Sequence, residues 1–144
     1  MRTVSKANYI SYKDWYKEAV GNTDVVLRGI SALEYMRLFS GYLYREDIDV
    51  YAHTHSGYEN LNHHLVDTFE AIDYYVENGV QCTTFEQTVN DMLDMFDTVD
   101  TQSLEQALFK YYTKHNSFEG IYIKPQNIER FAVMKERAIL YNVE

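Results

Sequence analysis

The chain changes its repeat at Asn78-Gly79, and that junction constrains the fold more than any other stretch. Residues 72–76 and Val80–Thr83 read as extended segments, and a two-residue Asn-Gly link suits a hairpin whose central residues need φ > 0. Beyond it, from Thr83 or Thr84, Phe85, Val89, Met92, Leu93 and Phe96 recur at helical spacing, and Thr83 with Glu86 has the spacing of a capping box. A hairpin that runs straight into an amphipathic helix requires both a sheet and helices to bury it.

The remaining segments fit that frame. A helix is expected over residues 11–20, where Ser11 and Asp14 form a capping pattern. There Tyr12, Trp15, Tyr16, Ala19 and Val20 share a face, and Gly21-Asn22 ends the run. Val25–Leu27 is a short extended piece. A second helix is expected near Ser31, with Ser31 and Glu34 as a capping pair, Ile30 and residues 33–39 on its apolar side, and Gly41 as its stop. Residues 47–52 alternate as a strand, with Ile48 and Val50 on one side. Residues 53–64 are polar and read as loop, and residues 65–69 read as another strand. A helix over 102–114 carries Leu104, Ala107, Leu108, Tyr111 and Tyr112 on its apolar side. Residues 120–123 are extended, and Pro125 suits the first position of the last helix. Ile128, Phe131, Ala132, Ala138 and Ile139 give that helix its buried side, interrupted by Lys135. One proline and six glycines are spread along the 144 residues, without linker or repeat, so residues 1–144 read as one domain. The order predicts an α+β fold: helices flanking a small, mostly antiparallel sheet, with the C-terminal helices packed on it.

Charge narrows the partners. The formal net charge is −9, and the 13 basic residues form no arm or stripe. Nucleic-acid binders answer the phosphate backbone with clustered Lys and Arg, so no direct contact with DNA or RNA is expected. No apolar run reaches the ~20 residues of a membrane span, and the first ten residues lack the apolar core of a signal peptide. With one cysteine, Cys82, no intramolecular disulfide can form, which suits a reducing compartment and a cytoplasmic protein. Tyrosine is abundant, 14 of 144 residues. Tyr is enriched at protein interfaces, so an exposed tyrosine cluster is expected, and homodimerisation through it is left open.

Candidate chemistry is sparse. His53, His55, His63 and His64 are the residues that could surround a zinc ion, but no spacing among them fixes a tetrahedron and no Cys or carboxylate pair completes it; no metal or cofactor is expected. Asp91, Asp94, Asp97 and Asp100 recur every third residue without the ligand order or glycine of a calcium loop. Asp91 and Asp94 are therefore placed on the solvated flank of the helix, and Asp97 and Asp100 in the turn after it. Cys82, in a strand before a helix, reads as a buried structural thiol. There is no G-x-S-x-G, phosphate loop or G-x-G-x-x-G. No catalytic residue is assigned, and the chain is not expected to be an enzyme.

Two stretches carry a family resemblance. V-V-L-R-G-I-S-A-L-E-Y-M-R-L-F, residues 25–39, resembles the Ser-Ala-Leu helix that opens the C-terminal domain of abortive-infection antitoxins of the AbiEi type. V-Q-C-T-T-F-E-Q-T-V-N-D-M-L, residues 80–93, resembles that family's strand-to-helix passage beginning Glu-Arg-Thr and carrying an Asp further on. Glu86, Thr88 and Asp91 match, and Gln87 stands where the family usually has Arg. The strand I-D-V-Y falls between the two blocks, and the likeness spans about residues 25–140. Ser31, Leu33, Glu86, Thr88 and Asp91 are the motif residues, read as structural: capping accounts for Glu86, and a local polar network on the helix surface for Thr88 and Asp91.

The resemblance implies the antitoxin of a type IV toxin–antitoxin pair, opposing a nucleotidyltransferase-like toxin in phage defence. The family usually adds an N-terminal winged helix-turn-helix that binds its own promoter. Only about ten residues precede the first expected helix here, so autorepression is not carried over. Two other functions compete: a phage-type acidic inhibitor that mimics nucleic acid on a host defence protein, and a metal-dependent enzyme using the His53–His64 loop. Steep salt dependence would mark the first and stoichiometric metal the second.

Overall fold

The computed structural model describes residues 11–39 and 47–141. Helix α1 (Tyr12–Val20) is followed by strand β1 (Val25–Leu27) and helix α2 (Gly29–Tyr35). Strands β2 (Ile48–Ala52), β3 (Leu61–Leu65), β4 (Tyr74–Glu77) and β5 (Val80–Thr83) come next. Helices α3 (Phe85–Asp94) and α4 (Thr101–His115), a 3₁₀ turn (Pro125–Asn127) and helix α5 (Ile128–Tyr141) complete the chain. The fold is α+β, as expected.

The sheet has the order β3-β2-β1-β5-β4. It is mixed where mostly antiparallel pairing was expected: β1 runs antiparallel to β2 and parallel to β5, β2 and β3 are parallel, and β4 and β5 form the antiparallel hairpin. Asn78 (φ 54°) and Gly79 (φ 77°) both adopt the left-handed region that this hairpin demands. Central β1 is buried on both faces, which explains why Val25–Leu27 shows no alternation.

The strand register divides the sheet into two faces. On one, Val25, Leu27, Ile48, Val50, Ala52, Leu61, Val80 and Cys82 pack beneath Trp15, Tyr16, Ala19 and Val20 of α1 and Ala32 and Tyr35 of α2. A second cluster joins Leu33 of α2 to Val89, Met92 and Leu93 of α3, Leu104, Ala107 and Leu108 of α4, and Phe131, Met134 and Ala138 of α5. Helix α2 serves both clusters.

Several expectations shift. Helix α2 begins at Gly29, two residues before Ser31, so the Ser31–Glu34 capping pair is not formed. The helix ends at Tyr35, where Arg37 turns the chain at φ 63°; Gly41 lies outside the described residues. Helix α1 starts as expected, although the Ser11 side chain makes no cap. Residues 61–64 are strand where loop was expected; of the strand expected over 65–69, Leu65 is strand and 66–69 are not. The cap of α3 is Thr84, whose hydroxyl accepts from the Gln87 amide, rather than Thr83. On α5 the buried row is Phe131, Met134 and Ala138, while Ala132, Ile128 (57% exposed) and Ile139 (47%) face outward.

Candidate functional site

Polar side chains converge on the second face of the sheet, and Arg28 stands at their centre. It follows β1 directly, and its amide donates to the Asp49 carbonyl of β2 at 3.0 Å. Its guanidinium lies 4.7 Å from the centre of the Tyr51 ring, and Nη2 reaches the Met95 sulfur at 3.6 Å. Nε is buried and has no acceptor among the described residues. Tyr51 is pinned from its far end, where the hydroxyl donates to Asp91 Oδ2 at 2.8 Å. Gln87 donates to the other carboxylate oxygen at 2.9 Å, so both oxygens of Asp91 are engaged. His64 meets the Tyr51 ring edge-on at 5.3 Å.

Burial sets the proton chemistry of this cluster. It pushes the Asp91 carboxyl above the usual carboxylate range, although bonds from Tyr51 and Gln87 and the charge of Arg28 pull the other way. Burial, with the Asp91 charge behind it, raises the Tyr51 phenol to about 12, so it stays protonated at neutral pH. Burial also lowers His64, with Arg28 as the next cause, and lowers His63, helped by His55. Two open grooves meet at Arg28 and Asp49. One, about 300 Å³, runs along α3 past Ile30, Met92, Met95 and Val99. The other, about 530 Å³, opens at edge strand β3 beside Asn62, His63 and His64.

The motif residues sit deep in the framework. The Ser31 hydroxyl accepts from the Asp49 amide at 2.9 Å, which ties α2 to β2. Leu33 is fully buried between the helices. Glu86 does not cap its helix: its carboxylate accepts from the Tyr122 amide at 2.9 Å. The Thr88 hydroxyl donates to the Thr84 carbonyl (2.7 Å), which leaves Thr83 to donate to Thr88 at 2.7 Å. Asp91 is buried at 6% exposure, not on a solvated flank, and Asp94 accepts from the Asn127 side-chain Nδ2 at 2.9 Å. Asn90 completes a polar row along α3: it donates to the Tyr122 carbonyl and accepts from the Lys124 amide. Glu86, Asn90 and Asp94 thus strap residues 122–127 to the helix. Gln87, where the resembled family has Arg, links Asp91 to the loop through the Asp73 amide. Asp100 caps α4 by accepting from the Ser103 amide.

The four histidines do not converge on one point. His55 lies against His63, with ring centres 4.0 Å apart, and His63 Nε2 accepts from the Ser56 amide. His53 stacks on Phe69 and donates from Nδ1 to the Asp67 carbonyl at 3.1 Å. His64 joins Tyr51 instead. Among the described residues, no three His, Cys, Asp or Glu side chains are placed to hold a metal ion. Cys82 is fully buried, and desolvation raises its thiol to about 12. The expected exposed tyrosine cluster is not found among the described residues: Tyr16, Tyr35 and Tyr51 are buried, and Tyr122 stands alone at 61% exposure. No described helix is long and apolar enough to cross a membrane. Arg28 and Tyr51 escaped the sequence reading because neither belongs to a spaced pattern; only the strand register brings them together.

No protein-family model matches the chain, and no match was found among curated proteins.

Proposed function

We propose that this protein is a non-catalytic, cytoplasmic regulatory protein that works by contact with a protein partner, as a type IV antitoxin does in opposing a nucleotidyltransferase-like toxin. The observation that carries this reading is the use to which its motif residues are put. Ser31, Glu86, Thr88 and Asp91 each spend their polar groups on the chain itself, and Leu33 spends its side chain on the core. A general base needs an accessible lone pair near its working pH, and a nucleophile needs a lowered pKa or an adjacent base. The Asp91 oxygens are occupied, Tyr51 holds its proton to about 12, and the Cys82 thiol is buried. Such groups serve a rigid scaffold. The net charge of −9 adds a preference for a partner with a basic surface.

Co-expression with the neighbouring open reading frame tests the reading. Growth arrest by the neighbour alone, relieved when this chain is present, is the expected result. A harmless neighbour, or arrest that persists beside folded protein, refutes it.

A further inference from the structure

Helix α5 presents an outward face that the other described residues leave uncovered. Four of the eight large apolar side chains exposed among the described residues lie on it: Ile128 (57%), Val133 (43%), Ile139 (47%) and Leu140 (57%). At 3.6 residues per turn, Ile128, Ala132 and Ile139 form one row and Val133 and Leu140 a second. Between the rows run Glu129 and Glu136, two turns apart and both exposed.

The helix turns its cations elsewhere. Arg130 donates to the Leu93 carbonyl at 2.8 Å, Arg137 reaches Glu105 at 3.9 Å, and the Lys135 ammonium sits 5.2 Å from the centre of the Phe131 ring. No side chain among the described residues engages Glu129 or Glu136. The face is therefore apolar at both margins and acidic along its midline. A second copy of this chain fits it poorly, because pairing α5 with itself opposes like charges.

We propose that the outer face of α5 docks a basic amphipathic helix of a partner protein. Its apolar residues would lie on the two rows, and its Lys or Arg would reach Glu129 and Glu136, alkyl stems on the apolar margins and charges on the carboxylates. Charge selects the partner here, as e and g residues do in paired helices. This docking surface stands independently of the antitoxin reading: it can fail while co-expression rescue succeeds, and the reverse.

The test titrates the full chain into two fluorescent synthetic helices, one with leucines flanked by lysines and one with glutamates in place of the lysines. The lysine peptide is expected to bind and the glutamate peptide not. The double variant Glu129→Lys/Glu136→Lys should weaken lysine-peptide binding at least about tenfold and create affinity for the glutamate peptide. Ile139→Ser/Leu140→Ser, on exposed positions, should weaken it comparably with an unchanged melting temperature. A control, Glu70→Lys/Glu119→Lys, makes the same change in net charge on other exposed sites and should bind as the parent does. Absence of lysine-peptide binding overturns the proposal. So does binding that survives both α5 variants, or binding that falls equally in the control.

Discussion

Val25, Leu27 and Val50 point to one face of the sheet, and their immediate neighbours Val26 and Tyr51 to the other. The first face is closed by Trp15, Tyr16 and Tyr35, whose rings meet edge to face at 4.8 and 5.7 Å. The second is closed by bonds from Tyr51 and Gln87 to Asp91, with Arg28 laid over the Tyr51 ring. The apolar face is held by area and volume, so its losses scale with what is removed. The polar face is held by pairing, so its losses come from the partner left behind. One strand pair therefore carries two kinds of stability, and substitutions can separate them.

Base should break the apolar face first and most completely. Burial raises Tyr35 to about 12 and Cys82 to about 12 on that side, and raises Tyr75, packed against it, further still; on the polar side Tyr51 is the one phenol or thiol so affected among the described residues. A folded pKa above the unfolded one means that the native state holds the proton longer. Stability is then intact below the ordinary values, 9.0 for Cys and 10.0 for Tyr, and is lost as pH rises past them. Trp15 fluorescence should report unfolding in that alkaline range, and Tyr75→Phe should move the midpoint upward. An unchanged midpoint would remove Tyr75 from the account.

Trp15→Ala, at a fully buried position, should cost about 3–5 kcal/mol in urea unfolding. Tyr51→Phe keeps the ring under Arg28 but withdraws one donor from Asp91, and should cost about 1–3 kcal/mol. If Tyr51→Phe proved as damaging as Trp15→Ala, the distinction between the faces would collapse. Ser31→Ala removes a single bond to the Asp49 amide and should cost least, about 0.5–1.5 kcal/mol.

Periodicity revealed what local sequence controls. The Asn78-Gly79 hairpin, the α3 stripe of Val89, Met92 and Leu93, and the α4 stripe of Leu104, Ala107 and Leu108 are all visible in the residue order. Edge strand β3 was hidden because L-N-H-H-L is mostly polar, and an edge strand with one half-exposed face needs little apolar alternation. Ser31 and Thr83 looked like caps because each stands three residues before a Glu, yet tertiary bonds use both hydroxyls. Asp91 looked solvated because its neighbours in the three-residue series are carboxylates, and spacing along a helix says nothing of what the sheet places opposite. On α5 three apolar rows compete within one helix, and packing against α4 chose the row containing Met134.

Growth rescue by Asp91→Asn, measured beside the melting temperature of the same protein, tests most directly whether these polar groups build a surface or carry out a reaction. The substitution keeps the shape and an acceptor for Tyr51 while removing the charge. Rescue of the co-expressed neighbour's arrest should persist wherever the variant is folded, and decline only with its folded fraction. A fully folded Asp91→Asn protein that no longer relieves the arrest would show that the carboxylate itself does the work, contradicting the account.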